Sequence, residues 1–225
     1  VRILPDNAPV WHASVQFFKI EREVNGQAEL VGQFYLDTPA RDGKRGGAWM
    51  DDVRARWLRP DTHQLQTPVA HLVCDCSGGV DGKPALLTHD DAITLFHEFG
   101  HGLHNMLTQV NEHDVYGIRG VEWDAVELPS QFMENWCWEK EALAFISGHY
   151  ETGESLPDEL LEKMLAAKNF QSAMIMARQI EFSLFDFRMH REYQPELNAE
   201  EQKNYISSII ADVRSQVAVV PIVEY

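Results

Sequence analysis

An α+β fold, predominantly helical and with a small N-terminal antiparallel sheet, follows from three features of this sequence. Residues 1–87 alternate apolar and polar side chains between clusters of Gly, Pro and Asn, the pattern of strands and turns. Residues 88–225 carry apolar side chains at helical spacing behind recognisable caps. No linker, low-complexity tract or repeat divides the chain. It is therefore expected to form a single unit, 1–225, with a strand- and loop-rich part over 1–87 and a helical part over 88–225.

Val15–Glu23 and Ala28–Leu36 flank Asn25-Gly26, a pair that tolerates the positive φ angles of a tight hairpin turn. Asp37 to Trp49 holds Thr38-Pro39, Asp42-Gly43 and Gly46-Gly47 and reads as an irregular loop. A strand follows over Val69–Cys76, with Cys74 and Cys76 on one face as small packed hydrophobes. The glycine-rich turn Ser77–Gly82 lacks the Gly-Lys-Ser/Thr of a phosphate loop and is read as a connection. Thr88-His89-Asp90-Asp91 is a capping box opening a helix that runs to about Thr108. Further helices are expected over Ala125–His149, from Ser155-Leu156-Pro157-Asp158, over Phe170–Glu192, and from Asn198 to about Val217. Phe182, Phe185, Phe187 and Met189 read as core, and Trp123, Trp136 and Trp138 as packing residues.

Composition excludes several classes. Hydrophobic residues make up 44% and charged residues 24%, so the chain is not disordered. A formal charge of -16 repels phosphate backbones, which argues against nucleic-acid partners. The longest apolar run, Val217–Val223, is far short of the roughly 18–20 residues of a membrane span. Three cysteines are too few for a disulfide framework, so the expected location is cytoplasmic. The chain opens on Val1 with neither an initiator Met nor a signal-peptide pattern, and is expected to be a section of something longer.

The chemistry sits on the first long helix. His97-Glu98-Phe99-Gly100-His101 matches His-Glu-x-x-His, and residues four apart share a helical face, so both rings can aim a nitrogen at one zinc ion. Glu98 lies about 100° further round, where it can approach water at the metal without being a ligand. Zinc needs a third protein ligand. His104 is excluded because it stands roughly 10 Å along the axis from His97. The segment Val121–Ser130 supplies Glu122, Asp124 and Glu127 as carboxylate candidates. Position favours Glu127, expected within the second helix and facing the first. Asp124 lies on nearly the same face and is the candidate acceptor for the second N–H of a zinc-bound histidine.

Thr88–Asp91, His97–His104 and Trp123–Trp136, with Arg45–Asp52 and Ala144–Tyr150, closely resemble the thimet oligopeptidase family of zinc peptidases, in particular its bacterial oligopeptidase A branch. The resemblance implies a zincin-like metallopeptidase core holding one Zn2+ per chain. It places His97, His101 and Glu127 as zinc ligands and Glu98 as the general base of a zinc metalloendopeptidase acting on short peptide substrates. It also implies a monomer in the full-length form, a further N-terminal helical region, and a C-terminal segment of His and Tyr residues beyond Tyr225. Without those parts, the chain is a partial catalytic domain expected to show weak or no peptidase activity. The alternatives are a non-catalytic zinc-bearing or peptide-binding module, and a metal-dependent hydrolase of other substrates.

Overall fold

Asn25 and Gly26 both take positive φ, 52° and 78°, and this turn joins the first two long strands of a computed structural model that describes residues 1–79 and 83–218. Part of the Ser77–Gly82 turn, most of the Val217–Val223 run and the terminal residues from 219 lie outside the described residues. The strands are β1 (Arg2–Pro5), β2 (Gln16–Val24), β3 (Gln27–Pro39), β4 (Trp49–Arg54), β5 (Trp57–Leu58), β6 (Leu65–Gln66) and β7 (Val69–Cys76). The helices are α1 (His89–Met106), α2 (Leu128–Glu134), α3 (Lys140–Ile146), α4 (Asp158–Ala167), α5 (Ser172–Arg191) and α6 (Ala199–Val217). Among the described residues, no helix is long and apolar enough to cross a membrane.

The main sheet has the order β1-β2-β3-β7-β4, and it is mixed where an antiparallel sheet was expected. β1/β2, β2/β3 and β4/β7 are antiparallel, but β3 and β7 run parallel, with Phe34 opposite Ala70 and Leu36 opposite Leu72. The reason is the connection. The chain leaves β3, returns along β4, reverses again, and inserts β7 between the two, so β7 must follow the direction of β3. A small separate pair, β5/β6, lies within the link.

The face of this sheet that meets α1 makes the core. Ile20, Val31, Phe34, Ala70, Leu72 and Met106 are buried together, with Phe99 and Leu103 of α1 packed against them. Cys74 and Cys76 are both buried, and burial pushes the Cys74 thiol up to about 12. α1 starts where its capping box places it. Asp91 N–H donates to Thr88 Oγ1 over 3.1 Å, and Thr88 N–H donates to Asp91 Oδ2 over 2.8 Å. Such a cap contributes about 1 kcal/mol.

The loop between β3 and β4 is tied down by a buried ion cluster. Asp37 pairs with Arg41 at 2.6 Å and with Lys44 at 3.1 Å, and accepts the Trp11 indole N–H. The Lys44 ammonium also donates to the carbonyls of Pro39 and Cys74, binding the loop to β7. Hydrogen bonding from Arg41 holds the Asp37 carboxyl well below the usual carboxylate range against its burial, with Lys44 and Trp11 adding to the effect.

The helix expected over 125–149 is broken into pieces. Pro129 lacks an N–H and is tolerated only in a first turn, so α2 begins at Leu128 and Glu127 stands at its cap rather than within it. The His89 ring donates to the carbonyl of Cys137 over 2.6 Å, within a 3-10 turn at Asn135–Trp138, and Glu139 is extended. α3 then ends at Ile146.

The chain divides into two compact units, Val1–Pro157 and Asp158–Tyr225, so the division falls well after the change of sequence character near residue 87. In the second unit α5 packs on α6, and Glu181 bridges Arg178 at 3.1 Å and Arg214 at 2.8 Å. Asn198 caps α6 as its sequence predicts. Of the α5 residues expected in the core, Phe182 and Phe187 are exposed, while Phe185 and Met189 are half-buried.

Candidate metal centre

Histidines four residues apart in α1 share a face, and the rings of His97 and His101 stand 4.9 Å apart at 83°. His101 and Glu98 are buried, and His97 is partly exposed. The third member reaches them because of a glycine. A Cβ on Gly100 would lie 2.6 Å from the Pro129 carbonyl oxygen and 2.6 Å from Ser130 Cα, so only a bare backbone lets the start of α2 sit this close to α1. Gly102 plays the same part toward the sheet, where an added Cβ would meet a Leu72 methyl at 2.9 Å.

That approach brings Glu127 over the two rings. Its Oε2 lies 3.2 Å from His97 Nε2 and 3.1 Å from His101 Nε2. Ser130 is fully buried, and its hydroxyl donates to the same Oε2 over 2.8 Å, which fixes the carboxylate. One donor atom from each of His97, His101 and Glu127 falls within 4.8 Å of the others. Ligands about 2.0–2.1 Å from a tetrahedral zinc stand roughly 3.3 Å apart, so the spacing suits that ion.

The proton inventory points the same way. His97 Nδ1 lies 2.7 Å from Glu134 Oε1, and with a carboxylate as the acceptor the ring donates there. The other ring nitrogen, Nε2, faces Glu127 Oε2 at 3.2 Å. Such a contact calls for a shared cation or a proton on the ring, and a two-His, one-carboxylate set suits zinc.

Glu134, not Asp124, therefore meets His97. Asp124 is exposed in a 3-10 turn at Trp123–Ala125 that precedes α2, because the break before Pro129 removes it from the helical face on which it was expected. Glu134 lies seven residues beyond Glu127, two turns of helix, a spacing visible in the sequence. Glu122 is exposed. His104 lies outside the cluster and lines a separate cavity with Gly100 and Phe132.

Burial raises the Glu98 carboxyl above its ordinary value; the charge of Glu127 adds to this and His97 opposes it. Burial also lowers His101, against the pull of Glu127. For Glu127 itself burial opposes ionisation, but the Ser130 hydrogen bond and the two histidines outweigh it, and its carboxyl lies below the ordinary value.

A cavity of about 600 Å³ opens over the cluster. Ala48, Trp49 and Met50, from the end of the tethered loop and the start of β4, form one side. Trp123 forms part of another and is 93% exposed, so it is a wall residue rather than the packing residue expected. Trp136 is also exposed. Arg119 completes the wall and pairs with Asp52 of β4, which accepts the hydroxyl of the fully buried Tyr116.

Curated relatives share this sequence closely. Oligopeptidase A of Escherichia coli (strain K12) is 60% identical over 212 residues, covering 94% of this chain and 30% of the relative. Oligopeptidase A of Haemophilus influenzae is 55% identical over 215 residues, covering 96% and 30%. The probable cytosolic oligopeptidase A of Arabidopsis thaliana is 44% identical over 191 residues, covering 84% and 27%. The chain thus spans about 30% of the length of these relatives. Residues 2–224, the whole of the site included, match Peptidase family M3, and the chain belongs to that family.

Proposed function

We infer that this chain carries the zinc site of a metalloendopeptidase with a zincin-like core that cuts short oligopeptides in the cytoplasm. The observation that carries the reading is the meeting of His97 Nε2, His101 Nε2 and Glu127 Oε2 within 4.8 Å, beside the buried Glu98. His97, His101 and Glu127 would hold the ion. Zinc at such a site supplies Lewis acidity, which makes a nearby water a stronger acid.

The remaining work belongs to side chains. Glu98, adjacent to His97 in the chain and on the wall of the same cavity, takes the proton of the attacking water and returns it to the leaving amine. Glu134 holds the tautomer and ring orientation of His97, and Ser130 holds Glu127. The apolar part of the wall, half-buried Trp49 and exposed Trp123 included, receives peptide side chains. By the family resemblance, the oxyanion donors of a complete site are His and Tyr residues lying elsewhere in the protein, which is proposed to be a monomer; among the described residues the wall carries no Tyr and no His beyond the pair. Turnover by this chain alone is correspondingly weak.

The test is hydrolysis of a quenched-fluorescent peptide of about ten residues by this chain, by a longer chain and by its Glu98→Gln variant. The reading requires cleavage by the longer chain, far slower cleavage by the short one, and none by the variant. Unchanged cleavage by Glu98→Gln would remove Glu98 from its role, and equal cleavage by the two lengths would remove the need for distant donors.

A further inference from the structure

Among the described residues, Arg119 is the one Lys or Arg on the wall of the cavity over the cluster. It sits in the 3-10 turn Gly117–Gly120, and its side chain is 47% exposed. Its Nε lies 3.0 Å from Asp52 Oδ2, and its Nη2 lies 3.3 Å from Asp52 Oδ1. A guanidinium offers five N–H donors in a rigid planar fork. This pairing uses only the Nε/Nη2 edge, and Nη1 has no partner among the described residues.

The backing of the pair is unusually firm for an exposed arginine. Asp52 is mostly buried in β4 and also accepts the Tyr116 hydroxyl. The turn is fixed to α1 as well, since the N–H of Ile118 donates to Asn105 Oδ1 over 3.4 Å, and the N–H of Gly117 donates over 3.3 Å to Thr108 Oγ1, just past the end of that helix. The guanidinium plane is thereby held on the wall while its other edge stays available. Elsewhere the cavity shows ligands two carboxylates, Glu98 and Glu127. With Glu127 committed to the metal in the proposed reading, Glu98 is the remaining carboxylate on the wall, and a single oriented cation selects where an anionic group can sit.

We propose that Arg119 is a specificity residue that docks a carboxylate of the bound peptide through its free Nη1 edge. This rests on the reading that the cavity takes peptides. The carboxylate is either the C-terminus of the peptide or an acidic side chain, and peptide design separates the two.

The test measures binding by fluorescence anisotropy, with the Glu98→Gln chain used to prevent turnover. Three labelled peptides differ only in charge: a neutral C-terminal amide, the same peptide with a free C-terminus, and the amide with one internal Glu. A charge-assisted bidentate contact predicts that at least one carboxylate peptide binds roughly tenfold tighter than the neutral amide. Arg119→Ala removes that preference while leaving neutral-amide affinity in place, and Arg119→Lys keeps part of it. Arg119→Gln, which retains a hydrogen-bond donor for Asp52, also removes the preference, and it decides the matter if Arg119→Ala does not fold. No preference in the parent chain, no binding of any peptide, or a preference that survives Arg119→Gln would overturn the proposal. Cleavage by the longer Glu98 protein without charge preference sinks this proposal alone. A charge preference in binding without any cleavage sinks the peptidase reading and leaves this one standing.

Discussion

Glu134 Oε1 lies 2.7 Å from the Nδ1 of His97, and Glu127 Oε2 lies 3.2 Å from the Nε2 of the same ring. The two carboxylates grip opposite sides of one imidazole, and both come from α2 or its cap, seven residues apart. Removing Glu134 frees the tautomer without removing a ligand. Glu134→Ala is therefore expected to weaken zinc binding about 10–100-fold, the usual effect of losing such an orienting partner. Competition against a chelator of known affinity measures this, and unchanged affinity would mean that Glu134 orients nothing.

Gly100→Ala is expected to reverse the ordinary rule for helices. Alanine favours a helix interior over glycine by about 1 kcal/mol. Here the new methyl would stand 2.6 Å from backbone atoms of Pro129 and Ser130, which cannot rotate away. Overpacking of this kind costs about 1–3 kcal/mol. The expected outcome is a lower urea midpoint together with weaker zinc binding, because the start of α2 and Glu127 move as one. Gly102→Ala meets only a Leu72 methyl, which can yield, and the loss is smaller.

The Asp37 cluster makes an acid-side prediction. Its folded carboxyl titrates below the unfolded one because Arg41, Lys44 and Trp11 stabilise the anion against burial. A depressed folded value gives stability that is fully present above the unfolded pKa of about 3.9 and is lost as pH falls through the folded value. Asp37→Asn strands Lys44, whose side chain is only 5% exposed, and is expected to cost about 3–5 kcal/mol at neutral pH. The gap in urea midpoint between wild type and variant should close as pH falls well below 4. A gap that stays constant to pH 2 would show that the cluster contributes no charge-dependent stability.

Much of the site's first helix was legible in the residues. The Thr88/Asp91 box, the His97/His101 spacing and the Asn25-Gly26 turn each depend on contacts within a few residues, and each stands where the pattern puts it. What escaped reading depends on partners far along the chain. Alternation in 69–76 marks a strand but says nothing of its neighbour's direction, so the parallel pairing of β3 and β7 was invisible. Pro129 did carry the break before α2, since proline belongs in a first turn, and from that break follow the cap position of Glu127 and the placement of Asp124 outside the helix. Glu134 was within reach of the same argument. The exposure of Phe182, Phe187 and Trp123 follows from what packs on them, which no local pattern records.

The central claim is that His97, His101 and Glu127 hold zinc while Glu98 does not. Elemental zinc analysis of zinc-loaded wild type, Glu98→Gln and Glu127→Gln, purified side by side, tests it most directly. The predicted result is one zinc per chain in the first two and far less in Glu127→Gln. Zinc lost from Glu98→Gln but retained in Glu127→Gln would contradict it.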